Sequence, residues 1–320
     1  MKEIIGNIVE TESDRIKTAR IHQGWWRAFV LGKNQGLRPH NNNERICNTV
    51  EVDKEFEVNF LSSEIAEVVN QVLEERKKDS PGLIQEERLR GNLLSSQPLC
   101  FNFFGTFHQD KNFAKQVLTS FYPGITEVKD VLFEYAPTPK DKYTNDNSAF
   151  DVAIEVVIDG KLGIIGFECK YTETFSPKEY RTEKYENLYN SSKSFVGSYE
   201  ELTSSKFNQL FRNQLIAESL LQSRDNKYSF VNTALFCASE DDNAQKTGDD
   251  FGKLLNSAYS NFKIITFFDF IESMQQNNIT KKQREFSMLL WARYIGYQLS
   301  SQARKEYIAG NKHDSPECRK

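Results

Sequence analysis

The dipeptide Asp159-Gly160, which separates two runs of β-branched and aromatic residues, constrains the fold more than any other feature of the sequence. Asp-Gly favours a two-residue type I′ hairpin turn, because both central residues of that turn need a positive φ. If Ile158 pairs with Lys161, the register of the whole hairpin is fixed. In that register Asp151 lies directly opposite Glu168, so the turn predicts two facing carboxylates on adjacent strands.

The two faces of this hairpin differ in character. Because side chains alternate along a strand, Lys170 shares a face with Asp151 and Glu168. Next to the acids, the small residues Ala153 and Gly166 are expected to leave room for an ion or a phosphate. The other face is nearly all apolar and is expected to lie in the core: Val152, Ile154, Val156, Ile158, Gly163, Ile165 and Phe167.

Two directly opposed carboxylates destabilise a sheet unless something compensates their charge. A hard divalent cation fits them best, and Mg²⁺, with Mn²⁺ as the alternative, takes one or two carboxylates together with a substrate phosphate. That arrangement suits phosphodiester hydrolysis. Lys170 could orient or deprotonate the attacking water, or stabilise charge on the phosphate. The competing interpretation is a structural ion network at a strand end, which each residue taken alone would favour.

The rest of the chain has the pattern of an α/β protein. We expect a mixed β-sheet, an antiparallel meander plus further strands, flanked by helices. Residues 1–60 are predicted to form an arm or accessory subdomain, residues 61–300 the main domain, and residues 301–320 a flexible tail. The predicted strands are 128–135, 150–158, 161–172, 228–238 and 262–270, and the predicted helices include 84–94, 110–121, 206–222, 248–258 and 281–299.

Composition excludes several classes of protein. No run of about 18 apolar residues, the length that a membrane span needs, occurs in the sequence. The N-terminus carries acids where a signal peptide would be apolar, so we expect a cytoplasmic protein without a membrane partner. The 5 cysteines stand singly and there are 4 histidines, without CxxC or HxxxH spacing, which argues against a zinc site or a disulfide framework. The net charge of -4 argues against non-specific coating of nucleic acid, but not against a locally basic cleft.

An Asp at the start of one strand and Glu-x-Lys on its hairpin partner resembles the PD-(D/E)XK nuclease superfamily, also called restriction-endonuclease-like. The motifs here are Phe-Asp-Val-Ala at 150–153 and Gly-Phe-Glu-Cys-Lys-Tyr at 166–171. Glu-Tyr-Ala-Pro at 134–137 and Arg-Asn-Gln at 212–214 also resemble uncharacterised bacterial members. The resemblance covers roughly residues 84–300. It departs from the pattern in one respect, since no proline precedes Asp151.

The resemblance implies a restriction-endonuclease-like fold and a nuclease function. Asp151, Glu168 and the backbone carbonyl of Cys169 would bind Mg²⁺, and Lys170 would assist the nucleophilic water. The implied substrate is DNA, with RNA not excluded, and the implied role is that of a restriction or defence endonuclease. Enzymes of this kind often form homodimers to cut both strands, so a homodimer is an open expectation.

Other polar residues are further candidates for the site. Glu134 in the first meander strand could add a third carboxylate or simply face solvent, and Glu87 could supply an acid from an earlier helix. In the helix after the meander we favour Gln214 as a site residue, although Gln209 would serve on a surface face equally well. The tyrosine-rich connection after the meander could stack on bases or form an ordinary covering layer.

Two other functions compete with that of a nuclease. A nucleic-acid-binding module could keep the fold and lack catalysis, and a structural or partner-binding protein would need neither metal nor nucleic acid. Intact Asp151, Glu168 and Lys170 favour the nuclease, because a binding module has no need of opposed acids.

Overall fold

The computed structural model describes residues 1–38, 41–52, 58–76, 83–277 and 279–313. The helices are α1 (Lys2–Ile5), α2 (Asp14–Trp25), α3 (Ser63–Glu75), α4 (Glu86–Gly91), α5 (Ser96–Gln109), α6 (Lys111–Thr119), α7 (Glu183–Ser191), α8 (Tyr199–Leu202), α9 (Asn208–Gln222), α10 (Asp242–Gly252), α11 (Phe267–Gln276), α12 (Lys281–Tyr294) and α13 (Ser301–His313). The strands are β1 (Gln35–Arg38), β2 (Asn41–Val50), β3 (Ile125–Tyr135), β4 (Phe150–Ile158), β5 (Lys161–Lys170), β6 (Phe230–Cys237) and β7 (Phe262–Thr266).

The central sheet has the strand order β3-β4-β5-β6-β7. The first three strands form an antiparallel meander, and β6 and β7 continue the sheet in parallel. Helices cover both faces, which confirms the mixed α/β architecture expected from the order of apolar patterns. No helix in the described part of the chain is long and apolar enough to cross a lipid bilayer.

The β4-β5 hairpin has the predicted register. Both residues of the Asp159-Gly160 turn have positive φ, 50° and 72°. The ladder runs from the pair Ile158 and Lys161 next to the turn to the pair Val152 and Phe167. The turn dipeptide therefore correctly fixed the register over this ladder, and the predicted pair of Asp151 and Glu168 lies one position beyond its last pair.

The apolar face of the hairpin lies in the main core, as predicted. Helix α5 packs on this face and is buried over most of its length. Its Phe104 ring lies 5.0 Å from the Phe167 ring of β5 and 5.2 Å from the Phe236 ring of β6, measured between centroids. Phe104 of α5 thus joins two strands of the sheet to the helical layer.

The other face of the hairpin is covered by α9, whose Ile216 and Ala217 pack near Ala153. The prediction that Ala153 and Gly166 leave room for an ion is wrong. A Cβ at position 166 would overlap the ring of Phe150, which is fully buried and fills this space. Access to the acids is therefore at the end of the sheet and not above this small pair.

Two of the predicted elements have clearly different bounds in the structure. The strand predicted at 262–270 stops at Thr266, where a capping box between Thr266 and Asp269 starts helix α11. The helix predicted at 248–258 begins earlier, after the N-cap Asp241. Within the predicted tail, residues 301–313 form helix α13, whose Tyr307 hydroxyl donates to the Gly6 carbonyl at 2.9 Å. Residues 314–320 of the predicted tail lie outside the described residues.

The N-terminal segment packs against the main domain. The Gln23 side chain of α2 donates through Nε2 to the Tyr171 hydroxyl at 2.9 Å and to the Arg293 carbonyl at 2.8 Å. Arg15 donates to the Tyr171 carbonyl at 3.1 Å. Helix α2 therefore braces the chain just beyond β5. The predicted division into an arm (1–60), a main domain (61–300) and a tail (301–320) stays a prediction.

We expect Gly166→Ala to lower the free energy of unfolding by about 1–3 kcal/mol, because the added methyl group must displace a buried ring. Gly252→Ala is the matched control, since its Cβ would meet the Phe262 ring at an ordinary 3.7 Å. Urea unfolding of both variants measures the difference. Equal stabilities of the two variants would contradict the close contact between Phe150 and Gly166.

Candidate active site

Three carboxylates meet at one end of the central sheet, each on a different strand of the meander. Glu134 lies on β3, Asp151 on β4 and Glu168 on β5. Glu134 and Asp151 lie between the β3-β4 pairs Phe133 with Val152 and Tyr135 with Phe150. A cleft opens over the three acids, lined by Leu83, Glu134, Asn147, Ser148, Ala149, Asp151, Glu168, Gln209, Arg212 and Asn213.

Asp151 meets β5 through its side chain. One residue beyond the last ladder pair, its Oδ2 accepts a hydrogen bond from the backbone N–H of Cys169 at 2.6 Å. The carboxylate thus lies at the strand end, beside Glu168, where the regular backbone ladder has stopped. Asp151 remains half-buried, and it faces the cleft.

Glu168 and Lys170 form a buried ion pair with an Nζ–Oε1 distance of 2.9 Å, and they are 4% and 6% exposed. Gln209 of α9 bridges them, because its Oε1 accepts from Lys170 Nζ at 3.0 Å and its Nε2 donates to Glu168 Oε1 at 2.5 Å. Asn213, one helical turn further on, donates to Glu168 Oε2 at 2.7 Å. Helix α9 therefore fixes the geometry of the Glu-x-Lys pair.

Gln214, the glutamine favoured from the sequence, does not contact the three carboxylates of the cleft. It donates to Glu218 Oε1 at 2.9 Å and accepts from the Thr233 hydroxyl at 2.9 Å. A helix turns about 100° per residue, so Gln214 faces away from Gln209 and Asn213. The i,i+4 spacing of two amide side chains was the signal in the sequence that pointed to the correct pair.

Glu134 joins the cleft, and Glu87 does not. Glu134 accepts hydrogen bonds from Gln97 Nε2 at 3.2 Å and from the Leu83 backbone N–H at 3.4 Å. Its φ of 48° is rare for a residue other than glycine. Glu87 is exposed on α4 and is not part of the cleft lining. The third carboxylate is therefore the one on the sheet.

The acids repel each other in a poorly hydrated space. Burial, followed by the charges of Glu168 and Glu134, raises the pKa of Asp151 well above its ordinary value. Burial is also the main reason why the pKa of Glu134 rises from 4.5 to about 7. Burial alone would lower the pKa of Lys170, but Glu168 and Asp151 outweigh it and raise that pKa. The cluster therefore favours any cation that can enter it.

Two thiols lie on the core side of Asp151. The sulfur atoms of Cys100 and Cys169 and a carboxylate oxygen of Asp151 are all within 4.8 Å of one another. Burial raises the pKa of both thiols, that of Cys169 to about 11. The lining of the cleft includes three carboxylates and neither of these thiols, so the cleft is better suited to a hard cation with oxygen ligands.

Glu173, three residues after Lys170, ties the end of β5 to the start of α5. Its Oε1 accepts from the Ser96 backbone N–H at 2.8 Å and pairs with Arg88 at 2.5 Å. Negative charge is stabilised at a helix N-terminus, where backbone N–H groups lack partners. Sequence reasoning missed this residue, because its partners lie far away in the chain.

The tyrosines that follow the meander are mostly part of the core. Tyr171 and Tyr185 are fully buried, and Tyr189 and Tyr199 pack with the cluster around α9. Tyr180 is the exposed member of the set, at 38%. The covering-layer interpretation of this segment therefore fits four of the five tyrosines, and Tyr180 is the one that is largely exposed.

The raised pKa of Glu134 predicts a pH dependence of stability in the metal-free protein. A carboxyl with a raised folded-state pKa destabilises the fold once it ionises, so stability should fall as pH rises from about 4.5 through about 7. Glu134→Gln should therefore match the wild type near pH 5 and exceed its melting temperature near pH 8. Thermal melts in chelator measure this, and equal melting temperatures of the two chains at both pH values would contradict the raised pKa of Glu134.

Comparison with known proteins agrees with this geometry. A family model described as the PD-(D/E)XK nuclease superfamily matches residues 10–296, which include the whole central sheet. No curated protein and no solved structure gives a significant match. The five-stranded mixed sheet with flanking helices is the architecture expected of the restriction-endonuclease-like fold. The chain belongs to the PD-(D/E)XK nuclease superfamily.

Proposed function

We propose that the protein is a Mg²⁺-dependent nuclease that hydrolyses phosphodiester bonds of DNA. The observation that carries the proposal is the convergence of Glu134, Asp151 and Glu168 in one cleft, with Lys170 paired to Glu168 behind its lining. Membership of a nuclease superfamily supports the reaction class. DNA as substrate, and restriction or defence as the role, rest on the resemblance of the motifs.

The donor set fits a hard divalent cation. Asp151 and Glu168 would hold it with the carbonyl of Cys169, and Glu134 would add negative charge beside them. The Cys169 N–H points to Asp151, and in an antiparallel strand the carbonyl of the same residue projects to the same edge. A bound Mg²⁺ would supply positive charge at the phosphate and lower the pKa of a neighbouring water, and Mn²⁺ is the alternative ion.

Lys170 best suits an electrostatic role. Its pKa is raised, so it carries a proton at neutral pH and is poorly suited to remove one from water. A protonated Nζ beside Glu168 can donate a hydrogen bond to the attacking water or to a phosphate oxygen. Among the roles considered from the sequence, orientation of the water and stabilisation of charge are therefore favoured over general-base catalysis.

Gln209 and Asn213 act as positioning residues in this proposal. Together they bond both oxygens of Glu168, and Gln209 also bonds Lys170. Such contacts keep a charged side chain in one orientation as a substrate approaches.

The proposal also includes action in the cytoplasm and a homodimer whose two chains cut both strands.

We expect Asp151→Asn and Lys170→Met each to reduce DNA cleavage by about 100-fold or more, because each removes a charge that acts on the reacting phosphate. The assay follows supercoiled plasmid, linear genomic DNA and single-stranded RNA with Mg²⁺, with Mn²⁺ and with chelator. Genomic DNA of high complexity is included so that a sequence-specific enzyme meets its recognition site.

Asp159→Asn is the matched control for this assay. It makes the same chemical change on the same hairpin, at a turn position with a φ of 50° that asparagine tolerates well. It should keep full activity. Cleavage that persists in chelator, or that survives Asp151→Asn, would contradict the mechanism. Binding of DNA without cleavage would favour the non-catalytic module, and cleavage of RNA alone would replace the proposed substrate.

A further inference from the structure

Arg212 contributes a cation to the cleft that the proposed chemistry does not use. It lies on α9 between Gln209 and Asn213, which both contact Glu168. Residues three and four apart share a helix face, so Arg212 points to the same side of α9 as Gln209. Its side chain is 21% exposed, so a strand entering the cleft meets a guanidinium that is partly open to solvent.

Contacts on two sides hold the guanidinium of Arg212 in place. Nε donates to the Ser148 hydroxyl at 2.9 Å and to the Tyr185 hydroxyl at 3.1 Å. The guanidinium also stacks over the ring of Tyr180, 4.4 Å from its centroid. An arginine with a fixed plane loses little conformational entropy when it binds an anion. The exposed Tyr180 thus has a function as a support for Arg212.

The nearest acid does not need the charge of Arg212. Asp146 forms an ion pair with Arg212, in which its Oδ2 lies 3.5 Å from Nη2. It already accepts hydrogen bonds from the backbone N–H and hydroxyl of Ser148 at 3.0 and 2.7 Å, from Thr144 at 2.8 Å, and from the Tyr185 hydroxyl. These neutral donors stabilise the carboxylate, and the positive charge of Arg212 stays available to a second anion in the cleft.

We propose that Arg212 binds a backbone phosphate of the nucleic-acid substrate, next to the phosphate that is cut. The inference rests on the proposed function, and it assigns a second phosphate subsite to the same cleft. A guanidinium matches the geometry of a phosphate with two parallel hydrogen bonds. Lys170 is only 6% exposed and is already bonded to Glu168 and Gln209. In this arrangement Lys170 acts on the reacting phosphate, and Arg212 binds the neighbouring one.

The test measures DNA binding by the full chain carrying Asp151→Asn, which prevents cleavage. Fluorescence anisotropy with a labelled duplex gives the dissociation constant over a series of salt concentrations. Adding Arg212→Met should weaken binding about tenfold and reduce the magnitude of the salt slope by about one, as expected for the loss of one phosphate contact. Arg212→Lys should keep the slope and recover part of the affinity.

Arg224→Met is the charge-matched control, because Arg224 is exposed just beyond the far end of α9. It should leave affinity and slope unchanged. In the active chain, Arg212→Met should raise KM and change kcat by less than about threefold, because the contact is made in both the ground state and the transition state.

Each possible result of these measurements either supports or refutes the phosphate subsite at Arg212. Unchanged affinity and salt slope in Arg212→Met would overturn it, and so would a lower melting temperature with an unchanged slope, which identifies a purely structural brace. If the chain cuts nucleic acid and Arg212→Met leaves affinity and salt slope unchanged, only the phosphate subsite is refuted and the proposed function is not. A wild-type chain that neither binds nor cuts nucleic acid would refute the proposed function together with the subsite.

Discussion

The mutual repulsion of Glu134, Asp151 and Glu168 is the constraint around which this end of the protein is arranged. Like charges on adjacent strands destabilise a sheet, so three acids at this position each need a partner. Each instead has a dedicated donor: Gln97 for Glu134, the Cys169 backbone for Asp151, and Lys170 with α9 for Glu168. The partners hold the acids beside one another, so their oxygen atoms stay in position for a cation.

The surrounding elements serve to keep this cluster rigid. The aromatic rings of α5 pack behind the strands, and the start of α5 is tied to the end of β5 through Glu173. On the opposite face α9 supplies both the apolar cover and the amides that bond Glu168. Helix α2 adds a brace through Tyr171. Precise placement of charged groups therefore depends on packing from three directions.

The sequence predicted the hairpin and its acids because a short-range rule, the Asp-Gly turn, fixes a long ladder. It missed α5, because a helix that is apolar nearly all round shows no amphipathic period. It extended β7 too far, because Phe267 and its neighbours suit a strand as well as a buried helix. It chose Gln214 over Gln209, because helix phase relative to the sheet depends on tertiary packing. The ring of Phe150 over Gly166 likewise follows from packing alone.

The central claim is that these carboxylates bind a divalent cation, and Mn²⁺ binding followed by electron paramagnetic resonance tests it without any nucleic acid. The signal of free Mn²⁺ should fall on addition of the wild-type protein near neutral pH, and excess Mg²⁺ should restore it. Asp159→Asn should behave as the wild type, and Asp151→Asn should leave the free signal largely intact. No loss of signal with the wild type, or an equal loss with Asp151→Asn, would contradict the account.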